Sequence, residues 1–381
     1  MNLSAKTERI DVIELTQKLI EFNTINPPGN EAGLAKFIGS ILIENDFEVD
    51  YPIYAKDRLQ LVATKGLSKD RPPIIFTGHL DVVPLGATQW TRDAFSGEIV
   101  DNTLYGRGST DMKAGIAAMI VAAIEMFRNE SPNGGIRLIF TADEELGCNG
   151  AQHLCKSGYD LGEASAIVVG EPTGNMPYVG HKGGLYLNAY TKGVTAHSSM
   201  PELGDNAIYK AARAIGKIED LKFEADSDEL LGYPTINVGR IDGGLNLNSV
   251  PDKTAFTIDV RTTTTYKNDK VWSYLKDMLG EEVTLEKITD LNAISTPTEN
   301  DFVKMIFDIL EVDSSDENLK KSANFLTDAS VFMPYFKNIP TIILGPGEPE
   351  MAHQTDEFCY VDKIKKTVTI YCEIITKNSL K

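Results

Sequence analysis

Apolar residues recur at helical spacing over Lys6–Phe22, and Asn26-Pro27-Pro28-Gly29 closes that run with turn chemistry. A second amphipathic pattern predicts a helix over Glu31–Asn45, and the short runs Phe47–Tyr54 and Gln60–Thr64 read as strands. The stretch Ile74–Pro84, IIFTGHLDVVP, opens with a β-branched apolar run behind Pro72 and Pro73, which predicts a buried strand that breaks at Gly78. An Ala/Met/Ile-rich run from Met112 to about Arg128 predicts a buried helix. Strands are predicted at Ile136–Ala142, Ala166–Val169 and Thr341–Leu344, with a helix near Phe302–Val312. Strands alternating with helices in this way predict an α/β fold.

The character changes between about Pro177 and Asn292. A strand over Leu185–Val194 is followed by a helix over Ala207–Leu221, strands over Thr235–Ile241 and Thr254–Thr262, a helix over Asp269–Leu279 and a strand over Val283–Ile288. That β-α-β-β-α-β order is the ferredoxin-like arrangement. It reads as a domain, 177–292, inserted into a first domain formed by 1–176 and 293–381. A chain of 381 residues exceeds the size at which one core stops growing, which also favours two domains.

The net charge of −18 disfavours nucleic acid and anionic membranes as partners. The N-terminal stretch has acidic residues among its apolar ones, unlike a signal peptide, and no run approaches the ~20 apolar residues of a membrane span. Cys148, Cys155, Cys359 and Cys372 have irregular spacing that suggests neither a disulfide framework nor a zinc knuckle. A cytoplasmic protein is therefore expected.

Candidate chemistry gathers where strands end. His79 and Asp81 follow the Ile74 strand, and His-x-Asp supplies an imidazole ligand with a carboxylate able to hold its other ring nitrogen. Asp143, Glu144 and Glu145 follow the Ile136 strand, and Glu171 follows the Ala166 strand. Asp111 stands at the start of the Met112 helix, where the dipole favours its charged form and a plain N-cap is the competing role. The loop GPGEPEMAHQTDEF adds His353. In open α/β sheets ligands bind beyond the carboxyl ends of the strands, so two imidazoles and three carboxylates from distant segments would meet there.

The ordered motifs TGHLDVVP, GRGSTDMKAG, TADEELG, VGEPT and AHQTDE resemble those of the two-zinc aminoacylase/carboxypeptidase family over essentially the whole chain. The resemblance implies a zinc-peptidase-like, three-layer catalytic domain with a mixed, mostly parallel sheet, and an inserted ferredoxin-like lid that dimerises the protein. It implies two zinc ions per subunit, with Co2+ or Mn2+ as substitutes. His79 and Glu171 would bind one ion, Glu145 and His353 the other, and Asp111 would bridge both. Asp81 would orient His79, Glu144 would act as general base, and His197 would stabilise the oxyanion, in such proteins usually across the dimer. Arg261, Asn248 and Gly345 would contact substrate; a surface ion pair, a turn asparagine and a plain turn are the respective competing roles. Thr327-Asp328 stands where relatives carry a substrate loop, but the surrounding residues depart from their pattern. The implied reaction is hydrolysis of an N-acyl amino acid, first N-succinyl-LL-2,6-diaminopimelate in lysine biosynthesis, with N-acetylornithine, related N-acyl amino acids or a dipeptide as competing substrates. His153 reads as an exposed helix residue, and His181 is left without a role.

Overall fold

A computed structural model of the chain describes residues 9–129, 131–224, 226–316 and 318–380. The start of the helix expected from Lys6 lies outside the described residues. Helix α1 is Val12–Ile20, and the Asp11 carboxylate caps it by accepting from the N–H groups of Ile13 and Glu14. Helix α2 is Ala32–Glu44. The run Phe47–Tyr54 yields strand β1 (Glu48–Asp50) and a separate hairpin strand from Ile53, because Pro52 has no N–H to continue a ladder. Strands β2 (Leu61–Lys65) and β3 (Ile74–His79) follow, then helix α3 (Ala114–Asn129), strand β4 (Ile136–Thr141), helix α4 (Asn149–Lys156) and strand β5 (Ala166–Val169).

The chain then forms strand β6 (Gly183–Lys192), helix α5 (Ala207–Glu219), strands β7 (Thr235–Gly243) and β8 (Lys253–Thr262), helix α6 (Asn268–Leu279) and strand β9 (Val283–Leu291). It closes with helices α7 (Asp301–Leu310) and α8 (Ala329–Tyr335), strand β10 (Thr341–Ile343) and helix α9 (Val361–Ser379).

Two compact units result. The first comprises the residues up to Val179 together with Thr296–Lys321 and Thr327–Lys381; the second is Gly180–Ser295 with Ser322–Leu326. The first unit holds a six-stranded sheet in the order β1-β2-β4-β3-β5-β10. Its β4-β3-β5-β10 portion is parallel, and at one edge β2 runs antiparallel to both its neighbours, β4 and β1. All six residues of both β3 and β4 are buried, as expected of parallel strands covered on both faces. Helices α3 and α9 pack together, and Tyr371 of α9 sets its ring against Phe76 of β3 at 5.1 Å.

Two glycines bring backbones close enough to shape the sheet's carboxyl edge. A Cβ on Gly115 of α3 would stand 2.3 Å from the Gly170 carbonyl, and one on Gly345 would stand 2.2 Å from it. The start of α3 and the end of β10 are thereby drawn against the residue that precedes Glu171.

In the second unit the sheet order is β7-β8-β6-β9 with every neighbour antiparallel, the ferredoxin-like pattern. Helices α5 and α6 lie over its apolar core, which includes Leu187, Ile258, Val271 and Leu275. Among the described residues, no helix is long and apolar enough to cross a membrane. All four cysteines are free.

Candidate metal centre

Strands β3, β4 and β5 run the same way, so their carboxyl ends deliver His79, the Asp143-Glu144-Glu145 turn and Glu171 to one edge. Asp111 reaches that edge from a five-residue turn, Ser109–Lys113, in which Asp111 and Met112 are not helical and the bond between them is cis. The helix expected from Met112 therefore begins at Ala114. His353 comes from the loop after β10, with a left-handed backbone (φ 65°).

The five side chains form two clusters sharing one carboxylate. His79 Nε2 lies 3.0 Å from Asp111 Oδ1 and 3.8 Å from Glu171 Oε1. His353 Nε2 lies 3.4 Å from Asp111 Oδ2 and 3.1 Å from Glu145 Oε2. Each cluster places its ligand atoms within 4.8 Å of one another, so each could hold a metal ion. His79 Nδ1 donates to the backbone carbonyl of Asp81 at 2.9 Å, which leaves Nε2 as the atom available to a cation.

The electrostatics fit divalent cations. Burial penalises the charged form of His79, but the charge of Glu171 and the bond to Asp111 outweigh it and raise the pKa well above the usual imidazole value. Hydrogen bonds to Asp111 and Glu145 push His353 up to about 10 against its partial burial. Burial raises Glu171, and burial with the neighbouring Asp111 charge raises Glu145. Burial opposes ionisation of Asp111 too, yet the bonds from His353 and His79 hold its pKa low. Glu145 Oε1 is buried without a hydrogen-bond donor among the described residues. Imidazoles and carboxylates in excess negative charge, with an orphaned carboxylate oxygen, form a donor set suited to zinc and similar ions.

Glu144 points elsewhere, is buried, and accepts from the Cys148 thiol at 3.3 Å. Burial raises its pKa well above the ordinary carboxylate range, the setting of a group that takes up a proton. Asp143 anchors this turn. Its carboxylate accepts from Asn26, Tyr54, Arg58 and Asn149, at 2.7 to 2.8 Å. Asn26 also donates to Asp81. Sequence reasoning passed over Asn26, Arg58 and Tyr54, which are too far away in the chain for any spacing to link them to Asp143.

The expected orienting role of the Asp81 carboxylate takes another form. That carboxylate is 3.8 Å from His79 Nδ1 and accepts instead from the backbone N–H groups of Glu144 and Glu145. The Gly345 N–H donates to the Thr173 hydroxyl at 3.2 Å and its carbonyl accepts from the Asn175 N–H at 2.8 Å, so both groups have partners within the protein. Thr327 and Asp328 are buried, and Asp328 accepts from Thr141 at 2.5 Å.

The remaining candidates belong to the second unit. His197 is exposed and forms an isolated bridge with Ser249, and the Ser198 N–H donates to the Asn248 carbonyl, so His197 and Asn248 share one loop region. The Ser199 N–H donates to His197 Nδ1, which leaves Nε2 as the protonated nitrogen of the neutral ring. Arg261 directs Nε and Nη2 to Asp259 at 2.9 and 3.2 Å and lies over the Tyr186 ring. It is engaged in an ion pair on a central strand. His181 is fully buried, and burial lowers its pKa to about 4. His153 belongs to the first unit and is exposed on α4.

A parallel sheet whose carboxyl edge carries paired cation-binding clusters beside a proton-accepting carboxylate defines a metal-dependent hydrolase. The pattern of peptidase family M20/M25/M40 matches residues 75–377, and the chain belongs to that family. A probable succinyl-diaminopimelate desuccinylase of Staphylococcus aureus is 32% identical over 95% of this chain and 96% of its own length. The M20 family metallo-carboxypeptidase Sso-CP2 of Sulfolobus solfataricus superposes with a TM-score of 0.79 at 18% identity, covering 98% of this chain and 100% of its own. The Bacillus subtilis YXEP protein, a dinuclear metal binding peptidase of the M20 family, superposes with a TM-score of 0.69 at 15% identity, covering 96% of this chain and 97% of its own.

Proposed function

We propose that this enzyme is a two-zinc amidohydrolase that removes the acyl group from an N-acyl amino acid, with N-succinyl-LL-2,6-diaminopimelate as its first substrate. The observation carrying the reading is the division of the Asp111 carboxylate, with Oδ1 beside His79 and Oδ2 beside His353. His79, Asp111 and Glu171 would hold one ion, and Asp111, Glu145 and His353 the other. Cobalt or manganese could replace zinc, since the donor set suits all three. When bound, such ions would lower the pKa of a nearby water and polarise the amide carbonyl.

Glu144 takes the proton of the attacking water and returns it to the departing amine nitrogen, a role that its raised pKa supports. Asp81 fixes Glu144 and Glu145 through their backbone N–H groups. His197, with its proton on Nε2, donates to the carbonyl oxygen as that atom gains charge. Arg261 and Asn248 bind the substrate's polar groups, and for Arg261 this requires exchange of its Asp259 partner for a substrate carboxylate.

The succinyl preference rests on the name of the Staphylococcus aureus relative. A panel of N-succinyl-diaminopimelate, N-acetylornithine and unacylated dipeptides, assayed on metal-replete enzyme, tests it. The highest kcat/KM is expected for the succinyl substrate; a preference for the dipeptides would contradict the reading.

We also propose a homodimer formed through the second unit. Its edge strand β7 is largely exposed, and Leu245 and Leu247 just beyond it are 92% and 100% exposed. Light scattering should give twice the 41.8 kDa chain mass, and a single chain mass would exclude the dimer.

A further inference from the structure

Glu357 stands four residues after His353, fully buried, and its carboxylate faces the turn that carries Asp111. Oε2 accepts from Arg107 Nη1 at 2.7 Å and from the Gly108 N–H at 3.0 Å. Oε1 accepts from the N–H groups of Thr110 and Asp111 at 2.8 and 3.0 Å. Four donors converge on one carboxylate, three of them backbone groups of consecutive or near-consecutive residues. The contact is doubled around it. The Gly106 N–H donates to the Glu357 carbonyl, and the Thr110 hydroxyl donates to the Phe358 carbonyl at 2.5 Å. Arg107 is itself buried, reaches the Pro84 carbonyl and lies over the Trp90 ring.

The Asp111 turn has no regular helical ladder to hold it, since Asp111 and Met112 lie outside helical backbone geometry. The loop bearing His353 is likewise irregular. Glu357 fastens one to the other. We infer that Glu357 is a positioning residue for the metal centre: it locks the Asp111 turn to the His353 loop, so that the shared carboxylate and the His353 imidazole are set in place together. The inference rests on the reading that Asp111 and His353 bind metal.

Glu357→Gln keeps the shape but replaces one acceptor oxygen with an NH2 group, which in either orientation faces two donors. The test uses the full-length protein, stripped with chelator and titrated with Zn2+ by calorimetry, and the d–d absorption of the Co2+-loaded form. Losing an outer-shell group of this kind typically costs about 10–100-fold in metal affinity. The variant is therefore expected to bind Zn2+ at least tenfold more weakly than the parent, with an altered Co2+ spectrum and an unchanged far-ultraviolet circular dichroism. Glu357→Asp, which keeps the charge beside Arg107, carries the same test if the glutamine variant does not fold. A folded variant with parental Zn2+ affinity and an unaltered Co2+ spectrum would overturn the inference. A parent protein that takes up no Zn2+, or an Asp111→Ala protein that still takes up both equivalents with parental affinity, would instead overturn the metal reading on which it rests.

Discussion

His79 meets Asp81 through the backbone: its Nδ1 donates to the Asp81 carbonyl at 2.9 Å, while the nearest Asp81 carboxylate oxygen is 3.8 Å away. The carboxylate is thereby free to accept from the N–H groups of Glu144 and Glu145, at 3.1 and 3.3 Å. One residue thus serves two strand ends, orienting an imidazole with its main chain and the acidic turn with its side chain.

Asp81→Asn should separate these roles. The carbonyl that orients His79 remains, so metal binding at the His79 cluster should persist, while an amide group facing two N–H donors should loosen the Glu144-Glu145 turn. A fall in kcat of about 10²-fold is expected with little change in metal content. Metal analysis beside steady-state kinetics checks this; loss of metal with parental turnover per bound ion would contradict it.

Glu144→Ala should keep its metal and lose about 10³-fold or more in turnover, because the group that carries the proton is gone. His79→Ala and His353→Ala should lose metal itself. Metal content and kcat measured on the same samples distinguish the two outcomes.

Arg58 joins two buried carboxylates, lying 2.6 Å from Glu31 and 2.7 Å from Asp143. Removing one member of such a network leaves uncompensated buried charge, which costs about 3 kcal/mol or more. Arg58→Ala should lower stability by that order in urea unfolding, and a loss below about 1 kcal/mol would show that Asn26, Tyr54 and Asn149 suffice to hold Asp143.

His181 gives a pH dependence. Its folded pKa of about 4 lies below the ordinary imidazole value, so between those limits the unfolded chain binds more protons than the folded one. Stability must then fall as pH drops from 7 to 5, by a contribution on the order of 2 kcal/mol. Hydrogen exchange of the β6 amides should show that loss in the parent and not in His181→Phe. Equal losses in both would remove His181 as the cause.

Most elements were readable because apolar periodicity is local. The buried run Ile74–His79 and the alternation in Leu185–Val194 each declare their strand within a few residues, and the β-α-β-β-α-β order declares the ferredoxin-like sheet. Helix α9 was not anticipated, since its charged face breaks the apolar pattern between Val361 and Ser379. The imidazoles and carboxylates at the strand ends were legible for the same local reason. The supports were not: Arg58 with Asp143, and Glu357 with the Asp111 turn, meet only through the fold, across 85 and 246 residues of chain. A side chain two residues from a histidine suggests a direct bond to its ring, whereas in the fold the main chain of Asp81 lies nearer, at 2.9 Å against 3.8 Å for the carboxylate.

The sharing of Asp111 between two cation sites is tested most directly by calorimetric Zn2+ titration of the chelator-stripped protein and of Asp111→Ala. The parent should take up two equivalents and the variant should lose tight binding at both sites. An Asp111→Ala protein that still binds one equivalent with parental affinity would show that the clusters are independent.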